Sequence, residues 1–363
     1  MSARTRLASQ GGYSLVELLV SSAIMLTVTG AIFGLVNPAQ GTAQTQPEAS
    51  DMQQRMRVAA DTLFRELLMA GAGPYQGATT GSLINFFAPI LPRRTGLTSP
   101  DASTVFRTDA ITLAYIPNSY SQTSLSASMP QVSAELKVTD QPNCPQGQEL
   151  CGFTEGMVVI IFDSTGYFDT FTITHVQDDA GHLQHNGQDL NHEYGAGSAI
   201  TQIVSNTYYR NATTNQLMKY NGAASDLPIV DNLVGLQFEY FGDVNPPKLP
   251  KPPAGVANCL YDATGAQVAL PVLAADEGSL ASLSGAMLTD GPWCGGGSNE
   301  FDADLLRVRK VRVTLRMQAA SAALRGQNTT LFANPGTSDG GGRFLPDYFV
   351  RFEVTPRNLN LTR

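Results

Sequence analysis

Gly12-Tyr13-Ser14-Leu15-Val16-Glu17 opens the stretch GYSLVELLVSSAIMLTVTGAIFGLV, residues 12–36, in which Glu17 is the single charge. A helix over residues 13–36 would be roughly 36 Å long, enough to cross a hydrocarbon core of about 30 Å. The residues before it, MSARTRLASQGG, carry Arg4 and Arg6 and no acid. Basic flanks stay in the cytoplasm, so the segment predicts one membrane pass, with the N-terminus cytoplasmic and the chain exported from about residue 40 onward. A secretory signal has a shorter apolar region that ends in a small-residue cleavage site. Here Gly11 and Gly12 precede the apolar run and a carboxylate lies inside it, which is the opposite order. An ionisable group within a membrane segment is costly and points to function.

The remaining composition narrows the classes. The chain has 363 residues, 42% hydrophobic and 15% charged, with a formal net charge of −8. That is less charge than the roughly 25% usual for globular domains, but the apolar content suffices for a core and excludes disorder throughout. An acidic balance without a basic stripe excludes a nucleic-acid partner. The length fits about two domains or one large β-rich domain.

On Gly12-Tyr13-Ser14-Leu15-Val16-Glu17, its basic leader and its apolar helix, the chain resembles the type IV prepilins and pseudopilins. The resemblance implies a leader of residues 1–12, removed by a prepilin peptidase between Gly12 and Tyr13, with Tyr13 N-methylated as the first mature residue. Tyr13 stands where that family prefers Phe. Glu17 takes the fifth mature position, an assembly residue whose carboxylate pairs with the Tyr13 amine of a neighbouring subunit. Two buried charges then compensate each other, and their desolvation cost sets the axial register. The simpler reading is that Glu17 snorkels to the membrane interface.

After the membrane and assembly helix at 13–36, Pro38 and Pro47 flank Gly41 in NPAQGTAQTQP and predict a kinked linker. An amphipathic second helix is expected at about 50–70, started by a Ser50–Gln53 capping box. Its apolar stripe is Met52, Met56, Ala60, Leu63, Phe64 and Leu67, at three- and four-residue spacing. Gly71, Gly73 and Pro74 end this 37–74 region. From residue 75 to 363 the apolar runs become short and β-rich: 109–116, 157–163, 167–176, 199–209, 233–241, 305–317 and 348–356. The expectation is an α+β fold, a long N-terminal transmembrane and spine helix followed by a mainly antiparallel, pilin-like exported domain. Residues 242–300, rich in Gly and Pro, read as an insertion.

A second resemblance is to the PilW-type minor pilins. It rests on the run Arg57, Ala59, Leu63, Arg65, Glu66 before a glycine-rich helix end, and on IVDNLVGLQFEY, VRKVRVTLRM and the closing FEVTPRNLNL. It implies a non-catalytic minor pilin of a type IV pilus, held in the inner membrane with its C-terminal domain periplasmic and extracellular after assembly. The implied partners are the prepilin peptidase, the inner-membrane assembly platform, other minor pilins, the major pilin and a tip adhesin. The alternatives are a J-type pseudopilin of type II secretion and, from another class, an anchored exported enzyme or metal binder.

Cys144, Cys151, Cys259 and Cys294 form an even set without a CxxC pair, so no zinc or redox motif is present. In an exported chain they predict two disulfides with three possible connectivities, of which the pairing of sequence neighbours, Cys144–Cys151 and Cys259–Cys294, is the expected one. His175, His182, His185 and His192 cluster with Asp178, Asp179, Asp189 and Glu193, residue types that suit a transition metal. Without fixed spacing on one helix face the segment reads as a solvated hairpin loop. Glu300, Asp302 and Asp304 in NEFDAD lack the EF-hand spacing and read as a charged strand entrance. Gly340, Gly341 and Gly342 open no helix, and no hydrolase, zincin or Walker pattern occurs. No cofactor and no enzymatic activity are expected.

Overall fold

The structure, a computed structural model, describes residues 12–73, 83–117, 121–141, 144–185, 190–294, 302–338 and 343–360. Arg4 and Arg6 of the leader, Pro74, Asp189, Glu300 and residues 340–342 lie outside them.

A single helix, α1 (Leu15–Met69), spans 55 residues. The expected division into a membrane helix, a linker and a second helix is therefore corrected, because Pro38 and Pro47 both lie inside one uninterrupted element. A proline removes its own N–H bond and crowds the carbonyl four residues back. Stopping and restarting would require a second, costly nucleation. Ser50 consequently caps nothing.

The chain forms two compact units: residues up to Met52 with Ala319–Asp347, and Gln53–Gln318 with Tyr348–Arg363. In the first unit, the Ala320 N–H donates to Glu48 Oε1 at 2.6 Å. The 319–347 segment closes on itself through Thr337 N–H to Ala322 O and Leu345 N–H to Leu324 O, both 2.8 Å. The rings of Phe332 and Phe344 meet edge to face at 6.2 Å.

In the second unit α1 is amphipathic. Met56, Ala59, Leu63, Leu67 and Ala70 are buried, a three- and four-residue stripe turned toward the core. Ala59 takes the place expected for Ala60. Phe64 lies at the rim, 42% exposed, its ring 6.3 Å from Phe352. Gly71 ends the helix with φ +71°, and a Cβ there would fall 2.7 Å from Ile84 Cγ2 and 2.9 Å from Leu359 Cδ2. A left-handed C-terminal stop of this kind favours glycine.

Among the described residues four antiparallel sheets follow. The first orders β1 (Ile90–Leu91), β2 (Ala110–Tyr115), β10 (Val204–Asn211), β11 (Gln216–Tyr220) and β12 (Asp226–Asp231). The second orders β3 (Gln122–Ser124), β9 (Ala199–Gln202), β5 (Val158–Phe162) and β6 (Phe168–Thr172). The third is β4 (Glu135–Lys137), β8 (His182–Gln184) and β7 (His175–Gln177). The fourth is β14 (Ala281–Leu283), β13 (Leu233–Gly242), β15 (Val308–Met317) and β16 (Tyr348–Val354). Leu136, Val159, Ile161, Phe171, Leu183 and Ile200 join the second and third sheets in one core. On β15, Val311, Val313, Leu315 and Met317 are fully buried, the period-2 pattern of a sheet with one wet face.

The 242–300 region is more than a loop held by a disulfide. It adds β14 to the edge of β13, forms the short α2 (Gly285–Thr289), and packs Leu260, Tyr261 and Trp293 with Ala303.

Candidate functional site

The N-terminus of α1 carries a reciprocal pair of hydrogen bonds. The Glu17 N–H donates to Ser14 Oγ at 3.2 Å, and the Ser14 N–H donates to Glu17 Oε2 at 2.9 Å. This is a capping box, which satisfies two donors that a helix start otherwise leaves unpaired. The S-x-x-E spacing signals it in the sequence, and a reading of Glu17 as a lone charge overlooks it. Tyr13 is 90% exposed. At Gly12 a side chain would meet nothing within 4 Å, so packing does not require glycine there.

From Leu15 to Gly34 the helix is apolar and has no protein around it; among the described residues it is the one helix long and apolar enough to cross a membrane. Three of its hydroxyls are satisfied internally. Ser21 Oγ donates to Glu17 O at 2.8 Å, Ser22 Oγ to Leu18 O at 2.7 Å and Thr27 Oγ1 to Ala23 O at 2.6 Å. Hydrocarbon surroundings demand such internal pairing.

The run at residues 57–66 divides by role. Ala59 and Leu63 are fully buried. Arg65 reaches Asp61 on the helix surface at 3.8 Å. Glu66 faces the first sheet, accepting from Asn206 Nδ2 at 3.3 Å and lying 3.7 Å from Lys219 Nζ. The closing Arg-Asn pair is tied to the same helix, with Asn358 Nδ2 donating to Leu68 O at 3.4 Å.

The structure joins Cys144 to Cys151 and Cys259 to Cys294, with Cα separations of 5.6 and 5.8 Å. Disulfides persist in oxidising compartments, which fits a domain beyond the membrane. Closing the 35-residue separation between Cys259 and Cys294 is worth about 3–4 kcal/mol by chain entropy. Thiol labelling of the denatured, unreduced protein is expected to modify no cysteine. Labelling of all four would contradict the pairing.

The histidines do not converge. The segment expected as a solvated loop contains the β7–β8 hairpin, turned by a short 3-10 helix at Asp178–Ala180. His175 Nδ1 lies 2.6 Å from Glu155 Oε1, His182 pairs with Glu135, and His192 Nε2 lies 3.7 Å from Asp163 Oδ2. The His192 ring stacks on Tyr167 at 3.8 Å. His185 is buried, 4.9 Å from the Phe171 ring. Among the described residues no three metal-ligating side chains gather at one point.

Asp304, the last residue of NEFDAD, is not solvated at its strand entrance. Asp304 and Arg307 have side chains 0% exposed, with Arg307 Nη1 3.3 Å from Asp304 Oδ1. Burial was hidden because acids at a loop end read as solvated.

No known protein-family model matches this chain, and neither does any curated protein sequence.

Proposed function

We propose that this chain is a prepilin-like structural subunit, a PilW-type minor pilin of a type IV pilus without catalytic activity. The observation that carries the reading is Gly12, free of packing demands, directly before an exposed apolar helix whose first turn holds Glu17. A helix apolar on all sides is stable only in lipid or among other helices. Stored in the inner membrane, the subunit is cut by the prepilin peptidase and moved by the assembly platform into the filament. Its β-rich domain then joins other minor pilins near the tip, where the complex starts polymerisation of the major pilin and presents a tip adhesin. The buried faces of α1 and the disulfides keep that domain folded outside the membrane.

The test is the mature N-terminus. Intact mass and N-terminal sequencing of protein from its native host are expected to give N-methylated Tyr13, with Arg4 and Arg6 gone. Uncut Met1 chains alone in assembled pili would overturn the reading.

A further inference from the structure

Trp293 is the single tryptophan of the chain, and it is fully buried. It precedes Cys294, whose bond to Cys259 closes the segment after β13. Its main-chain N–H donates to Asp304 Oδ2 at 2.8 Å, and its indole Nε1 donates to Pro271 O at 2.7 Å. The Arg307 guanidinium lies 4.8 Å from the indole centre. The same guanidinium pairs with Asp304, while half-buried Asp302 accepts the Asp304 N–H at 2.9 Å. One turn thus brings two acidic residues together; among the described residues Arg307 lies in contact with Asp304, while the charges of Arg93 and Arg307 also reach Asp302.

We propose that Asp302, Asp304, Arg307 and Trp293 form a proton-sensitive latch that fastens the disulfide-closed segment to the start of β15, tight when Asp302 is neutral and looser when it is ionised.

Burial lifts the Asp302 carboxyl to about 7, with the charge of neighbouring Asp304 adding to the effect and Arg93 opposing it. Burial lifts Asp304 to about 6, opposed by its bond from Trp293 and by Arg307, and assisted by Asp290 at the end of α2. Arg93, beyond the end of β1, also feels Asp101. Asp302 is therefore the first of the pair to take a proton as pH falls. An unfolded aspartate titrates near 3.9. A carboxyl raised in the folded state contributes stability that is fully present below about pH 4 and is lost as pH rises through about 7. Above that range a second negative charge stands beside Asp304 in a site with little water.

The test uses the full chain in detergent micelles. Trp293 emission is expected to change in a step near pH 7, and Asp302→Asn is expected to remove that step and leave the lower one, near pH 6, that Asp304 gives through its bond from the Trp293 N–H. A phosphine reductant then gives a second readout: the opening rate of Cys259–Cys294 relative to Cys144–Cys151 in the same molecules, followed by peptide mapping. That ratio is expected to rise several-fold from pH 5.5 to 8.5 in the wild type and to stay flat in Asp302→Asn. An emission step near pH 7 that survives Asp302→Asn overturns the latch. A wild-type ratio that does not change with pH overturns it as well, whether or not the variant folds.

Discussion

Glu17→Leu is expected to leave the level of the protein in the inner membrane near normal and to remove it almost entirely from filaments. The substitution makes an already apolar helix more so, which favours insertion. It also deletes the acceptor of the Ser14 N–H, a capping loss of about 1 kcal/mol confined to the first turn. In the filament the loss is larger. On the proposed reading, the Tyr13 amine of a neighbour is left without its carboxylate, and removing one partner of a buried pair costs about 3–5 kcal/mol. At 1.4 kcal/mol per tenfold, that is a drop in incorporation of roughly a hundredfold or more. Sheared pili and membranes from cells carrying the variant, each probed for this protein, give the measurement. Glu17→Gln separates the two roles, since a glutamine keeps the cap acceptor without the charge, and it is expected to fail as Glu17→Leu does. Wild-type incorporation of both variants would show that Glu17 is a tolerated interfacial charge. Rescue by glutamine alone would make the cap its role.

Arg307→Leu is expected to destabilise the β-rich domain by about 3–5 kcal/mol. It leaves Asp304 fully enclosed without its cation, and it strips the indole of Trp293 of the charge over its face. Arg351→Leu is the control, because Arg351 is 58% exposed and pairs with Glu239 on the wet face of the sheet; exposed pairs contribute about 0–1 kcal/mol. Urea unfolding of the full chain at pH 7.5, followed by Trp293 emission, reads both. The deficit of Arg307→Leu is expected to shrink at pH 5, where the Asp304 carboxyl, already raised to about 6 by burial, is neutral. Equal midpoints for the two variants would show that the buried pair adds nothing.

What could be read in advance follows from the range of the interactions. The apolar helix was legible as an unbroken run of apolar residues, and the stripe at 56–70 because it repeats one helical period over several turns. Val311 to Met317 was legible for the same reason at period 2. Strands of three residues, such as β3, β4, β7, β8 and β14, show too little of any period. The β11–β12 hairpin has the turn signal Asn221-Gly222, but Pro228 within the second strand argues locally against pairing, and an edge position resolves the conflict. Pro38 and Pro47 misled because a local rule for helix breaking was weighed without the cooperativity of the whole helix. At the N-terminus, Glu17 stood out as a lone charge in an apolar run and was illegible as a cap, although the signal lay three residues away. Asp304 with Arg307 was illegible, because Trp293, which contacts both, comes from another part of the chain.

The pairing of β13 with β15 gives the segment between them an evolutionary meaning. The two strands are partners in one antiparallel ladder from Leu233↔Met317 to Gly242↔Val308, so everything from residue 243 to 307 is, in topology, an enlarged hairpin turn. Lengthening such a connection is cheap, about 0.6 kcal/mol for each doubling. This is where descent can add or trim whole stretches of chain and vary a surface, while the strands beneath inherit their pairing unchanged.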